Sequence, residues 1–163
     1  MHIREALMDD WPRIKQIYVD GINTKTATFE TEDQIKSGEE WFDSKIKGSI
    51  FVAEIEKIVQ GWVILSPVSN RCVYSGVAEV SVYVDLNSKG MGIGTKLLQK
   101  AIAFADENNI WTIEANMFTT NEASNHTHQK VGFKVLGVRE KLGQLEGKWI
   151  DILMMERRSE TII

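Results

Sequence analysis

The fold of this chain is decided by residues 81–98, SVYVDLNSKGMGIGTKLL, where a strand pattern passes through a polar turn into a glycine loop and a helix. Glycine stands at every second position of the loop, as Gly90, Gly92 and Gly94. Glycines at this spacing remove Cβ atoms and allow successive backbone N–H groups to face one point. The helix that follows adds the positive end of its dipole. The stretch therefore predicts a cradle for a phosphate or pyrophosphate, and hence a phosphorylated small-molecule ligand.

Two well-known phosphate-binding loops do not match these residues. A dinucleotide loop requires a third glycine three positions after the second, and this chain has Thr95 or Leu97 there. A nucleoside-triphosphate loop requires Gly-Lys-Ser/Thr after a four-residue gap, whereas the order here is Gly94-Thr95-Lys96. A plain strand-to-helix turn that is rich in glycine remains the alternative, because glycine clusters are common in turns.

Size and composition restrict the class of protein. The chain has 163 residues, of which 43% are hydrophobic and 26% charged, and this predicts one domain spanning residues 1–163. The net charge of −4 includes no basic stripe, so nucleic acid is not an expected partner. No apolar run suits a membrane span or a secretory segment, so we expect a cytoplasmic protein without membrane contact. The single Cys72 and three histidines predict neither a disulfide nor a metal site.

Hydrophobic periodicity along the chain predicts a mixed α/β domain. A helix starts at Asp9-Asp10-Trp11-Pro12, where acids precede a proline in the first turn. We expect a central sheet of about seven strands flanked by about four helices. The expected strands are residues 2–6, 49–54, 58–65, 77–84, 110–115, 133–138 and 149–155, and the later helices are residues 32–47, from the glycine loop to about 107, and 121–131.

This order of elements, with a glycine loop after the fourth strand, resembles the GCN5-related N-acetyltransferase (GNAT) superfamily. The superfamily's loop motif, Gln/Arg-x-x-Gly-x-Gly/Ala, is similar to KGMGIG at residues 89–94, with lysine at the first position. A second motif, Asn-x-x-(Ala/Ser) followed by (Tyr/His)-x-x-x-Gly-Phe, is similar to NEAS at 121–124 and HQKVGF at 128–133.

Four further segments resemble the phosphinothricin and methionine-sulfoximine acetyltransferases, which act on small amino acids. They are TATFE at 26–30, RCVY at 71–74, EVSVYV at 79–84 and GKWID at 147–151, in the same order along the chain. Val77, Val80, Cys72 and Val73 depart from the subfamily's usual residues. These departures lie near the expected acceptor site, so the identity of the acceptor stays open.

The resemblance implies acetyl-CoA as co-substrate, with its pyrophosphate on the loop, its pantetheine arm beside the second motif and its carbonyl near a bulge that ends the fourth strand. The cofactor-binding residues so implied are Val82, Tyr83, Val84, Lys89, Gly90, Met91, Gly92, Ile93, Gly94, Thr95, Asn121 and Ser124.

Two residues are candidates for proton transfer. Alternation puts Glu79, Ser81 and Tyr83 on one face of an otherwise apolar strand. A protonated amine must lose a proton before it attacks a thioester, which makes Glu79 the candidate general base. His128 stands where many superfamily members have a catalytic tyrosine, and it could act as an acid or position Glu79 or a water. The alternatives are a solvated sheet-edge glutamate and an ordinary helix-surface histidine.

The resemblance also suggests residues for the acceptor. Arg71 could bind a carboxylate with two donors, Tyr74 could hydrogen-bond nearby, and Phe29 could line the side-chain pocket; a solvated loop arginine is the alternative for Arg71. We therefore expect an N-acetyltransferase for a small amino acid or analogue that acts by direct attack, and the resemblance suggests a homodimer. The competing expectations are a peptide or protein N-terminus or a polyamine as acceptor, or a non-catalytic acyl-CoA sensor.

Overall fold

A computed structural model describes residues 1–163 and contains one seven-stranded sheet in the order β1-β2-β3-β4-β5-β7-β6. All neighbouring strands are antiparallel except β4 and β5. The strands are β1 (His2–Glu5), β2 (Phe51–Ile55), β3 (Ile58–Pro67), β4 (Val77–Val84), β5 (Thr112–Phe118), β6 (Lys134–Leu145) and β7 (Lys148–Arg158). The helices are α1 (Trp11–Asn23), α2 (Gly38–Asp43), α3 (Ile93–Glu107) and α4 (Glu122–Lys130). The predicted mixed α/β fold is thereby confirmed.

The parallel pairing between β4 and β5 is short, and its early end opens the sheet. Its register covers three residue pairs and ends at Glu79 opposite Glu114. Beyond that point β4 continues to Val84 beside β3 alone, while β5 continues to Phe118 beside β7 alone. The sheet therefore opens into a wedge between the second halves of β4 and β5.

Side chains on the two faces of the sheet belong to two hydrophobic cores. Ala78 and Val80 of β4 lie in the core that α3 covers, and Tyr83 packs against the core that α1 and α2 cover. The alternation expected from the sequence is therefore present. Gly21 of α1 permits a close approach to β4, because a Cβ there would lie 2.7 Å from the Tyr83 ring.

The helix predicted over residues 32–47 is wrong. That segment contains one 3₁₀ turn, Glu32–Gln34, and the short α2. Ile35 adopts an extended conformation with ψ 125°, which ends the first turn. Ser37 then starts a new helix, because its hydroxyl accepts a hydrogen bond from the Glu40 amide.

The expected hairpin of β2 and β3 is confirmed, since Glu56 and Lys57 both have positive φ in the turn. The last hairpin is longer than predicted, because β6 reaches Leu145 and its turn is only Glu146 and Gly147. None of the helices has the length and apolarity that a membrane crossing requires.

Candidate active site

The wedge between β4 and β5 is a cleft of about 570 Å³, called here the β4–β5 cleft. One wall is the second half of β4, and the opposite wall consists of β5 and α4. The glycine loop and the start of α3 close one end, and the segment after α1, including Thr26 and Thr28, closes the other. The cleft exists because β4 and β5 stop pairing at Glu79.

The glycine loop presents a continuous set of free backbone donors to this cleft. None of the amide N–H groups from Lys89 to Thr95 donates to a protein atom. Gly90 and Gly92 both have φ +78°, a conformation that favours glycine. Gly92 is also the N-cap of α3, so the free amides and the positive end of the helix dipole coincide. This arrangement suits an anion such as a phosphate.

Gly94 differs from the two glycines before it. It lies inside α3 without a positive φ, and a Cβ there would be 3.6 Å from Thr127 Cγ2 and 3.8 Å from Val84 Cγ2. A Cβ would therefore fit, but larger side chains would extend between α3 and the walls of the cleft. The backbone conformation of the loop therefore requires glycine at Gly90 and Gly92, whereas Gly94 in α3 keeps the cleft open.

Glu79 lies at the point where the two strands separate. Its carboxylate oxygen Oε2 accepts a hydrogen bond of 2.6 Å from Asn116 Nδ2 on β5. Glu79 faces Glu114 across the parallel register, and Glu114 faces Glu156 of β7. Burial, followed by the charges of Glu79 and Glu156, raises the pKa of Glu114. Glu79 is therefore an acid held by one neutral donor beside a second acid.

His128 lines the cleft from α4 and is only 4% exposed. Its Nδ1 donates a hydrogen bond of 2.7 Å to the Ser124 carbonyl, and its ring meets the Phe133 ring edge-on at 5.1 Å. Burial lowers the pKa of His128, although the bond to Ser124 opposes this shift. The imidazole is therefore neutral at pH 7. Because Nδ1 carries the hydrogen, Nε2 has a free lone pair.

A second pocket of about 360 Å³ adjoins the cleft on the face of the sheet that α1 and α2 cover. We call it the side pocket. Thr28, Glu79, Ser81 and Tyr83 line both the cleft and the side pocket. The other residues that line the side pocket are Tyr18, Glu30, Lys36, Trp41, Ser44, Lys45, Trp62, Ile64 and Ser66.

Two tyrosines, Tyr18 and Tyr83, contribute hydroxyl groups to the wall of the side pocket. Tyr18 donates a short hydrogen bond to Glu30, and burial and this bond raise the pKa of Tyr18. Burial also raises the pKa of Tyr83, whose ring stacks on Trp62 at 4.7 Å. Both tyrosines therefore remain protonated at neutral pH, and they act as hydrogen-bonding walls.

Most of the residues predicted from sequence line the β4–β5 cleft. These are Glu79, Val82, Tyr83, Val84, Lys89, Gly90, Gly92, Ile93, Gly94, Thr95, Asn121, Ser124 and His128. Met91 is not among the lining residues, and its side chain is 55% exposed. Asn121 caps α4, because its Oδ1 accepts from the Ser124 amide at 3.2 Å.

The three predicted acceptor residues are not part of either pocket wall in the single chain. Arg71 and Tyr74 are exposed, with the guanidinium 5.5 Å from the Tyr74 ring centre. Phe29 packs on Phe118 at 4.9 Å. Their role in acceptor binding stays a prediction.

The strand bulge expected at the end of β4 is not observed. The register between β3 and β4 runs without a shift from Val84 opposite Gly61 to Ala78 opposite Pro67. The side of β4 that faces β5 is unpaired over residues 80–84 for another reason, because β5 has moved away. Val82, Tyr83 and Val84 still border the cleft.

Sequence reasoning missed Asn116 and Lys45. Asn116 shares a face of β5 with Glu114, two residues earlier, but only the β4–β5 register brings it to Glu79. The predicted helix over residues 32–47 includes Lys45, whereas in the structure Lys45 follows the end of α2 and lines the side pocket. Neither placement has a local signal in the sequence.

Comparison with known families, individual proteins and solved structures gives consistent results. The family model described as Acetyltransferase (GNAT) family matches residues 3–133. The L-methionine sulfoximine/L-methionine sulfone acetyltransferase of Pseudomonas aeruginosa is 29% identical over 158 residues, which cover 94% of this chain and 92% of that protein.

Two solved structures superpose closely. Ribosomal-protein-alanine N-acetyltransferase from Brucella melitensis has a TM-score of 0.90 at 30% identity, covering 98% of this chain and 100% of that one. A phosphinothricin acetyltransferase from Sinorhizobium meliloti, solved in complex with AcCoA, has a TM-score of 0.88 at 26% identity, covering 96% and 87%.

Proposed function

The chain belongs to the acetyltransferase (GNAT) family, and we propose that it transfers an acetyl group from acetyl-CoA to the α-amine of a small amino acid or amino-acid analogue. That it is an acetyl-CoA-dependent acetyltransferase follows from its family and its relatives. One observation carries the finer proposal. A carboxylate, a neutral imidazole and a set of free amides line the same cleft, and a polar side pocket joins it at Glu79.

The residues of the cleft fit the chemical groups of acetyl-CoA. The free amides from Lys89 to Thr95 would hold its pyrophosphate, because unpaired N–H donors at a helix N-terminus favour phosphate oxygens. Asn121 and Ser124 on α4 would border the pantetheine arm. The unpaired side of β4 would offer the amides of Val82 and Val84 to the carbonyl, because amides alternate between the two sides of a strand. When bound, acetyl-CoA supplies the thioester whose acetyl group is transferred.

Glu79 would act as the general base. An α-amine has a pKa of about 8 or higher, so most acceptor molecules arrive protonated at pH 7. Glu79 would take this proton, and the amine nitrogen would form a bond to the carbonyl carbon. The carbon–sulfur bond would then break, and the departing thiolate of CoA would take up the second proton that the nitrogen loses as it becomes an amide. The hydrogen bond from Asn116 occupies Oε2 and leaves Oε1 for the amine. We therefore infer that Asn116 orients the base.

His128 would position a water molecule. Its Nδ1 hydrogen is committed to the Ser124 carbonyl, so donating from Nε2 would require the charged imidazolium, which burial opposes. The neutral ring instead accepts a hydrogen bond at Nε2. This supports the water-positioning role over the role of general acid.

A second acceptor class has specific support. The Brucella melitensis structure, a ribosomal-protein-alanine N-acetyltransferase by name, superposes with a TM-score of 0.90. A peptide N-terminus would require an acceptor path open to a continuing chain.

A sensor that only binds acyl-CoA would have no need of Glu79 and His128 at one cleft.

We also propose that residues 1–163 form one domain that assembles as a homodimer. Apolar side chains are exposed along β6 and at the start of β7, among them Leu136 at 52% and Trp149 at 57%. Exposed apolar residues grouped in this way are typical of an interface. Sedimentation should give the mass of two chains for the wild type, and a monomer would contradict the proposal.

A thiol-release assay tests the proposed function directly. The wild-type enzyme with acetyl-CoA is compared on methionine sulfone, methionine sulfoximine, phosphinothricin, the common free amino acids and a short peptide with N-terminal alanine. Turnover of free amino acids or their analogues above that of the peptide is expected. Turnover of the peptide alone would favour the second acceptor class, a peptide N-terminus. If none of these acceptors is acetylated, the proposed function is overturned.

A further inference from the structure

The side pocket contains a cation that the proposed mechanism does not use. We propose that Lys45 binds the carboxylate of the amino acid acceptor while Glu79 receives its amine. This inference rests on the proposed function and names the group that selects its substrate. It differs from the sequence-based assignment of the carboxylate to Arg71.

Lys45 is held in position but has no ionic partner. Its side chain is half-buried, and Nζ lies 5.0 Å from the centre of the Trp41 ring. No carboxylate lies within ion-pair distance of Nζ, and the ion pairs of the chain all involve other residues. Burial lowers the pKa of Lys45. A half-buried ammonium without a partner gains most when an anion enters beside it.

The other charged groups of the side pocket complete a site for a zwitterion. Glu30 accepts a hydrogen bond from Tyr18, and Glu79 accepts one from Asn116. Lys36 also lines the pocket, but its side chain is exposed. The pocket therefore has acids for an ammonium group and, at Lys45, a cation for a carboxylate.

The charge of Glu30, and to a smaller extent that of Glu79, opposes the lowering of the Lys45 pKa, so Lys45 interacts through space with both carboxylates of the side pocket. An α-amino acid carries its ammonium and carboxylate on one carbon, so it can span two nearby groups of opposite charge. A polyamine would instead bring a second positive charge towards Lys45.

The test compares methionine sulfone with its α-carboxamide, which keeps the amine and removes the negative charge. Lys45→Met should lower kcat/KM for the free acid by about ten- to a hundredfold, because a charge-assisted hydrogen bond is lost. The value for the amide should change by less than a few-fold, and calorimetry should show unchanged acetyl-CoA affinity. Lys45→Arg should retain much of the preference for the acid.

Two further variants separate this proposal from its alternatives. Lys47→Met removes the same charge from an exposed side chain outside the pocket, and it should keep the wild-type preference. Arg71→Ala measures the competing assignment. The proposal is overturned if Lys45→Met keeps the preference for the acid, if it weakens acid and amide equally, or if Arg71→Ala alone abolishes the preference.

Failure of this proposal is distinguishable from failure of the proposed function. If the wild type acetylates neither methionine sulfone nor any other free amino acid, the function itself is wrong. If the wild type is active and Lys45→Met retains its preference, only the role of Lys45 is wrong. Thermal unfolding reports whether Lys45→Met is folded, and Lys45→Gln gives the same comparison if it is not.

Discussion

Replacement of Glu79 by glutamine tests the centre of the proposed mechanism. The amide side chain has the same shape, and its carbonyl oxygen can still accept the hydrogen bond from Asn116. The substitution therefore removes basicity with little change in structure. General-base catalysis contributes about 10²–10⁴-fold. Because the positioned amine and the carbonyl contacts remain, we expect a loss near the lower limit, about a hundredfold in kcat, or about 2.7 kcal/mol.

The pH dependence gives a second and more specific readout. An α-amine with a pKa of about 8 or higher is neutral in about a tenth of its molecules or fewer at pH 7. The Glu79→Gln enzyme can use only this neutral fraction, so its kcat/KM should rise by at least about tenfold between pH 7 and pH 9. The wild type should rise less over the same range, because Glu79 removes the proton within the complex.

Steady-state thiol release across this pH range is the assay, with acetyl-CoA saturating. Glu114→Gln is the matched control, because it removes an acid from the neighbouring strand at the same register position. It should keep kcat within a few-fold of the wild type. A Glu79→Gln enzyme with near wild-type kcat and an unchanged pH profile would refute the reasoning, since deprotonation would then occur in bulk water.

Three further predictions follow from the geometry of the cleft. Gly94→Val should weaken acetyl-CoA binding at least about tenfold by calorimetry, because the valine Cβ fits but its methyl groups would extend into the cleft. Gly92→Val should in addition lower the free energy of unfolding by about 1–2 kcal/mol, because valine is strained at φ +78°. Asn116→Ala should lower kcat by about two- to tenfold with little change in the KM for acetyl-CoA, since the hydrogen bond from the neutral Asn116 amide to Glu79 is lost. An effect on that KM alone would contradict the orienting role of Asn116. The pKa of His128 is lowered in the folded state, so its contribution to stability is complete above the unfolded pKa near 6.5 and is lost as pH falls through the folded value. Urea unfolding between pH 8 and pH 5 should therefore show a steeper loss of stability in the wild type than in His128→Gln, and equal slopes would count against a buried neutral imidazole.

The parts of the site that the sequence predicted are those with a local signal. The glycine loop, Glu79 on its strand and His128 on its helix each depend on residues a few positions apart, and all line the cleft. The break at Ile35 was missed because the apolar spacing of residues 32–47 also suits one continuous helix.

Long-range placement was beyond the sequence patterns. The register that ends at Glu79 opposite Glu114 joins residues far apart in the chain, and it alone brings Asn116 to the base. For the same reason no pattern could indicate that Lys45 would line a pocket with Glu79, or that Arg71 would lie outside its walls.

Because the β4–β5 pairing ends early, the side pocket and the glycine loop are also built from different parts of the chain. Apart from β4 itself, the side pocket is built from residues 18–66, whereas the glycine loop and α4 lie after residue 84. Substitutions in the first part can therefore alter the choice of amine without touching the phosphate cradle. Exchange of residues up to 76 between relatives would carry acceptor preference with it, while the glycine loop and α4 would remain unchanged. Diversification of such enzymes towards new amines would accordingly concentrate its changes before β4.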